Sequence, residues 1–294
     1  MYPGYCKPSY AAQATRQVKR SLTICFCMFV LLAGSSWQQV SADTRDWTAG
    51  VNPGEWDDTI ALTTLNGYLY TIEKSGALYR TDLTNGKWVQ LGKTDFANTE
   101  FLFAGNQNLF TIETDGSLYR VSPVNGAWSR VGQAGAWRGT SALVTLNNSL
   151  YSIESSGALY RTDLSSGRWI QIGMPEFANT EFMFADAQNL YTIEANGSLY
   201  RVNPANGAWR GVGGPGEWKD TIGGTTLSGR IYTVERSGAL YETNPATGAW
   251  KQIGKVEFGK TQFMFGADGS LYSLENGDLY RINPSNGSWV VVGQ

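Results

Sequence analysis

The chain has 294 residues, no histidine and three cysteines, Cys6, Cys25 and Cys27. Its 23 Lys/Arg nearly balance its 25 Asp/Glu, and 42% of its residues are apolar. Beyond Cys27 there is neither thiol nor imidazole, which excludes Cys/His-ligated zinc or haem, disulfides, and serine–histidine or cysteine–histidine catalysis from the rest of the chain.

The first element is an export signal. Lys7, Arg16, Lys19 and Arg20 precede an apolar run from Leu22 to Gly34, and Val40-Ser41-Ala42 offers small residues for cleavage. The run is short for a membrane-spanning helix. The expectation is cleavage after Ala42, a secreted or periplasmic protein, and a single domain over residues 43–294. The signal carries four Lys/Arg and no Asp/Glu, so the remainder has a net charge of −6. It has no basic cluster, which argues against nucleic acid as a partner. No membrane span is expected after signal cleavage.

From there one unit of about forty residues is written six times. A Glu closes a Leu-Tyr-Thr-Ile-Glu-like run at Glu73, Glu113, Glu154, Glu194, Glu235 and Glu275, with gaps of 40 and 41 in alternation. A Trp follows a Gly-containing turn at Trp88, Trp128, Trp169, Trp209, Trp250 and Trp289. An aromatic stands three residues before a Thr at Trp56/Thr59, Phe96/Thr99, Trp137/Thr140, Phe177/Thr180, Trp218/Thr221 and Phe258/Thr261. Three markers in one phase, built from short strand-like runs, predict an all-β fold, a six-bladed β-propeller. The blades are expected at about 56–92, 96–132, 137–173, 177–213, 218–254 and 258–294.

The second copy reads as a four-stranded antiparallel meander. Thr99–Phe103, Asn108–Glu113, Ser117–Val121 and Ala127–Val131 alternate, and Gly105-Asn106, Asp115-Gly116 and Asn125-Gly126 turn the chain between them. The hairpin after the Glu has three residues in five copies, as in Lys74-Ser75-Gly76, and two in the sixth, Asn276-Gly277. Both loop lengths keep the register, with Ile72 opposite Leu78 and Leu274 opposite Leu279. Copies one, three and five begin with Gly-x-Trp, and copies two, four and six with Phe. This predicts a two-blade unit used three times, with sites of two alternating kinds. Trp47 precedes Trp56 as Trp128 precedes Trp137, so Asp46 to Gly50 resembles an extra fourth strand. It would either lie against the first blade or compete with Trp289 to Gly293.

The fourth-strand Trp residues are read as blade-interface core, worth about 2–3 kcal/mol per ring. The turn residues Asn85, Asn125, Asn206 and Asn286 are read as turn chemistry. Chain direction brings the aromatic, the Thr and the Glu of each copy to one rim. The candidate carbohydrate-binding residues are therefore Trp56, Thr59 and Glu73; Phe96, Thr99 and Glu113; Trp137, Thr140 and Glu154; Phe177, Thr180 and Glu194; Trp218, Thr221 and Glu235; Phe258, Thr261 and Glu275. A ring covers the C–H face of a sugar while carboxylate and hydroxyl groups fix its hydroxyls. Each Glu has a second reading, a hydrogen bond to the Tyr79-type residue, to backbone or to the next blade.

The order Trp/Phe-x-x-Thr-x-Phe-x-Phe, Leu-Tyr-x-Ile-Glu, Leu-Tyr-Arg, Gly-x-Trp-x-x-Val-Gly over residues 47–294 resembles the tachylectin/tectonin group of propeller lectins. That resemblance implies repeated sites for N-acetylated sugars or other surface glycans. The chain departs from the group in having six copies rather than five, shorter blades, and Thr where tachylectins carry a second aromatic.

Two readings follow. One is an exported, non-catalytic, lectin-like propeller whose partners are glycans or polysaccharide surfaces. The other is a periplasmic or cell-surface scaffold with a protein partner. Catalysis calls for one copy with unique residues, and these copies are nearly interchangeable. The one oddity is Glu242, where the other copies have Arg80, Arg120, Arg161, Arg201 and Arg281. No cofactor is expected, and no acidic loop motif predicts a metal.

Overall fold

The computed structural model describes residues 55–292. The expected signal peptide, its cleavage site and the 46–50 segment lie outside the described residues.

The first repeat forms strands Thr59–Leu65, Tyr68–Glu73, Leu78–Asp82 and Trp88–Leu91, hydrogen-bonded in chain order into one antiparallel sheet. The same meander recurs over 99–131, 140–172, 180–212, 221–253 and 261–291. The result is six four-stranded antiparallel sheets and, among the described residues, no helix. The fold is a six-bladed β-propeller.

The chemistry of the turns explains the meander. Most links between first and second strands are two-residue turns with both φ angles positive, as at Asn66 (φ 52) and Gly67 (φ 78), or Asn147 (φ 49) and Asn148 (φ 60). This backbone matches the right-handed twist of the strands. Between third and fourth strands, Asn85, Asn125, Asn206 and Asn286 accept a bond through Oδ1 from the backbone N–H two residues on, at 2.9–3.1 Å. Their turn role therefore stands. The hairpin register also matches expectation, Ile72 facing Leu78 and Leu274 facing Leu279.

Successive blades are stitched by one repeated bond, from the N–H of the incoming aromatic to a hairpin carbonyl of the preceding blade. Phe96 donates to Gly76, Trp137 to Gly116, Phe177 to Gly157, Trp218 to Gly197 and Phe258 to Gly238. Trp56 donates to Gly277 O at 3.2 Å, so the sixth blade meets the first by the same device. Strand Trp289–Val291 occupies the outer edge of the sixth blade. Gly76 has φ +85 and sits so close to the next connector that a Cβ would lie 2.6 Å from Ala97 N. Only glycine suits such a crossing.

The core runs between blades, and here one expectation is overturned. The rings of Trp56, Phe96, Trp137, Phe177, Trp218 and Phe258 are 2–4% exposed. Phe96 packs among Leu78, Leu91 and Leu102, and Trp137 among Leu118, Val131 and Leu143, so each ring wedges the preceding blade against its own. Trp137 Nε1 also donates to Thr162 Oγ1 at 3.3 Å. The fourth-strand Trp residues, read from sequence as the interface core, are instead 43–51% exposed in blades 2 to 6. The reason is positional: the fourth strand is the outer edge of each blade, whereas the incoming connector is pinned into the gap between blades.

Candidate functional site

A feature not foreseen from sequence builds the site. In every blade the register of the first two strands shifts by one residue near the start, between Thr59 and Ala61 in blade 1 and between Phe101 and Thr99 in blade 2. This β-bulge re-aims the opening Thr so that it pairs with the Glu closing the second strand. Thr59 Oγ1 donates to Glu73 Oε1 at 2.9 Å, Thr99 to Glu113 at 2.9 Å, Thr180 to Glu194 at 2.8 Å and Thr261 to Glu275 at 3.0 Å. In blade 3 Thr140 donates to Trp137 O instead, and in blade 5 Thr221 Oγ1 is buried without a partner.

On the same sheet face, Thr71 is opposite Tyr79 and Thr81 opposite Trp88. The third-strand Tyr and fourth-strand Trp meet edge to face. Their centroids lie 5.0–5.3 Å apart at 85–89° in five blades. The Tyr200–Trp209 pair is tilted, at 4.5 Å and 57°. Two rings at a right angle make a corner with one half-exposed indole wall.

The residue just before the buried wedge completes the corner. Trp88 Nε1 donates to Glu55, Trp128 to Asp95, Trp209 to Glu176 and Trp289 to Glu257, all at 2.9–3.0 Å. Such a charge-assisted bond fixes the plane of the indole. Blade 3 has Ala136 at this position. Blade 5 has Glu217, which accepts from Gly214 N at 2.9 Å and so turns away from the Trp. Blades 1, 2, 4 and 6 thus carry both the acid–Trp and the Thr–Glu bonds, and blades 3 and 5 carry neither. The alternation of Trp and Phe copies predicted three sites of each kind. Four and two is what forms, because the Trp/Phe choice is spent in the buried wedge and the site depends on its acidic neighbour.

Cavities open at this corner. In blade 1 about 300 Å³ is lined by Glu55, Asp58, Thr71, Glu73, Tyr79 and Trp88 among others. In blade 2 about 230 Å³ lies between Asp95, Asn98, Glu113, Asp115, Tyr119 and Trp128. In blade 4 about 440 Å³ lies between Glu176, Asn179, Glu194, Asn196, Tyr200 and Trp209. Burial pushes the Glu73, Glu113, Glu194 and Glu275 carboxyls up from their ordinary range, against the opposing pull of the Thr and Ser hydroxyls bonded to them. Burial alone raises Glu154.

Of the candidate residues named from sequence, Thr and Glu are brought together in four blades at the rim where the pockets open. Although Trp56, Phe96 and Phe177 border the pockets, the six wedge aromatics are only 2–4% exposed and offer little ring face to a sugar. The accessible face belongs to the fourth-strand Trp. The signal that could have found this was Glu55, Asp95, Glu176 and Glu257, each 32 or 33 residues before its Trp partner. A separate cavity of about 410 Å³ lies among the first hairpins of blades 1, 4, 5 and 6, beside Asp186 and Asp268. Among the described residues, no group of three or more acidic side chains is arranged to hold a metal ion. No described helix is long and apolar enough to cross a membrane.

The fold and these corners define the class: a six-bladed β-propeller with repeated aromatic, acidic pockets at its rim. No family model and no curated protein matches the chain. Solved propellers do. PorZ, a bacterial surface component of the type-IX secretion system of Porphyromonas gingivalis, superposes with a TM-score of 0.57 at 12% identity. The match covers 84% of this chain and 34% of that one. The extracellular domain of BT4673 from B. thetaiotaomicron gives 0.56 at 13% identity, over 84% of this chain and 39% of that one. This chain thus spans well under half the length of either. YCF48, solved with a D1 peptide, gives 0.57 at 13% identity, over 85% of this chain and 86% of that one. At such identities the likeness extends to the fold alone.

Proposed function

We propose that this protein is an exported, non-catalytic carbohydrate-binding propeller that recognises surface glycans through its rim pockets. The observation that carries the reading is the fourfold recurrence of one constellation: a partly exposed Trp pinned by an acid, a Tyr packed against it at a steep angle, and a Thr–Glu pair on the same face. An indole face covers the C–H side of a pyranose, and the carboxylates accept from its hydroxyls. One such corner binds weakly, and four on one rigid ring bind a multivalent surface through effective concentration. The tachylectin/tectonin resemblance supports the same direction and points to N-acetylated sugars or other surface glycans. Export rests on the N-terminal charge and apolar pattern, and two of the similar propellers come from a surface component and an extracellular domain.

A glycan array followed by titration calorimetry of residues 43–294 tests the proposal. Four equivalent sites per chain are expected. A folded sample that binds no glycan would sink it. The scaffold reading then takes over, favoured by the exposed apolar side chains Val124, Ile170, Met174, Val256 and Val290 on the outer surface.

A further inference from the structure

The electrical sign of the rim pockets narrows the ligand. In blade 1 the pocket wall includes Glu55, Asp57, Asp58 and Glu73; in blade 2, Asp95, Glu113 and Asp115; in blade 4, Glu176 and Glu194. No Lys or Arg lines any of the three. Lys74, next to Glu73 in the chain, is paired with Asp58 at 2.7 Å. An anionic sugar would meet several carboxylates, with no lysine or arginine in the pocket lining, beside a negative ring face, and both repel it.

The pocket also holds unspent polar capacity. At the floor in blade 1, Thr71 and Thr81 are 1% and 0% exposed and their hydroxyls have no partner. Glu73 uses Oε1 for Thr59, while Oε2 is buried and unpaired. Buried polar atoms without partners are costly and uncommon. A small turn of these side chains into the cavity would let a ligand's hydrogen-bond donors satisfy them. Tyr79 and Trp88, which both line this space, meet edge to face at 89°. Electron-rich faces, carboxylates and orphaned acceptors together match a ligand that carries positive charge and N–H donors.

We propose that the rim pockets of blades 1, 2 and 4 recognise an organic ammonium group, presented by an amino sugar whose amine is free rather than acetylated. The identity of the ligand as a sugar rests on the function proposed above; the ammonium preference rests on the pocket's own charge and rings. The ammonium sits in the Tyr–Trp corner against the two nearest carboxylates, and the pyranose lies along the half-exposed indole. Blades 3 and 5 lack the acid–Trp bond and are not part of this set.

The experiment uses residues 43–294 with nitrogen-15-labelled indoles. It compares a fully deacetylated glucosamine tetramer, its N-acetylated counterpart, a glucuronic acid oligomer, and choline as a cation without a sugar. Trp88, Trp128 and Trp209 indole resonances should move with the deacetylated tetramer, while Trp169 and Trp250 stay still. Its affinity should exceed that of the acetylated tetramer by about tenfold at low salt, and the advantage should shrink as salt screens the carboxylates. Asp95→Asn and Glu113→Gln should each remove the response of Trp128 and spare that of Trp209, so that misfolding is distinguishable from lost binding. Equal or tighter, salt-insensitive binding of the acetylated tetramer overturns the ammonium preference and leaves the sugar reading intact. Movement of the same indoles with choline but with neither tetramer keeps the ammonium site and overturns the sugar reading. Silence of all indoles towards every probe overturns both.

Discussion

Trp137 and Trp169 belong to the same blade and exchange the roles that their sequence settings suggest, so their alanine substitutions make a sharp comparison. Trp137 is 3% exposed, shares a core cluster with Leu118, Val131 and Leu143, and donates to Thr162. A Trp side chain removes about 200 Å² from water, roughly 5 kcal/mol at 25 cal/mol per Å² as an upper bound. Core truncations of this size cost about 3–5 kcal/mol, cavity included. Trp137→Ala also leaves the Thr162 hydroxyl without its donor. Trp169 is 50% exposed and rests edge-on against Tyr160 at 5.1 Å. Losing half the burial and one aromatic pair, with no closed cavity left behind, costs roughly 1–2 kcal/mol. Urea denaturation followed by far-ultraviolet circular dichroism measures both, with the unchanged slope as a check that the same unfolding is compared. Trp137→Ala is expected to lose at least twice as much stability as Trp169→Ala. Equal losses, or the reverse order, would refute the assignment of wedge and platform.

The remaining expectations concern the hairpins, the acids and pH. Gly76→Ala must place a Cβ 2.6 Å from Ala97 N at φ +85, and should cost about 3 kcal/mol or more in thermal unfolding. Gly229→Ala, at φ +73 with nothing within 4 Å, should cost only about 1–2 kcal/mol; similar losses would count against the blade-to-blade crossing. Ala136→Glu offers Trp169 the acidic partner its blade lacks, and calorimetry should then count a fifth site; an unchanged count would show that the acid alone does not build the pocket. Glu73, Glu113, Glu154, Glu194 and Glu275 all have folded values raised above 4.5 by burial. A raised acid contributes stability that is full below its unfolded value and is lost as pH rises through the folded one. Melting temperature should therefore fall from about pH 4.5 towards neutrality, and Glu194→Gln should flatten that slope. Asp163, held at about 2 by the Ser165 and Ser166 hydroxyls and backbone N–H groups, acts oppositely, and its contribution is lost only as pH falls below 3.8. A profile that rises from pH 4.5 to 7 and ignores Glu194→Gln would contradict the burial of these carboxyls.

The repeat period, the strand count and the hairpin register were legible in the sequence because they are local. Period-two alternation fixes which residues face together, and Asn-Gly or Ser-Gly turns fix where the chain reverses. That is why alternation alone puts Glu73, Thr71 and Tyr79 on one face, as the register shows. Closure of the ring by Trp56 N–H on Gly277 O was not legible, since it joins residues at opposite ends of the described chain. Nor was the choice between two aromatics per repeat. Both Trp137 and Trp169 are large and apolar, and composition cannot say which one points into a gap and which lies on an outer edge. The β-bulge that turns Thr59 onto Glu73 depends on where the connector is pinned by the preceding blade, so it too belongs to the assembled ring. Sequence alone determined the elements and their order. Tertiary packing decided which rings are hidden, which acids reach a Trp, and why only four of six copies of one motif share the same pair of hydrogen bonds.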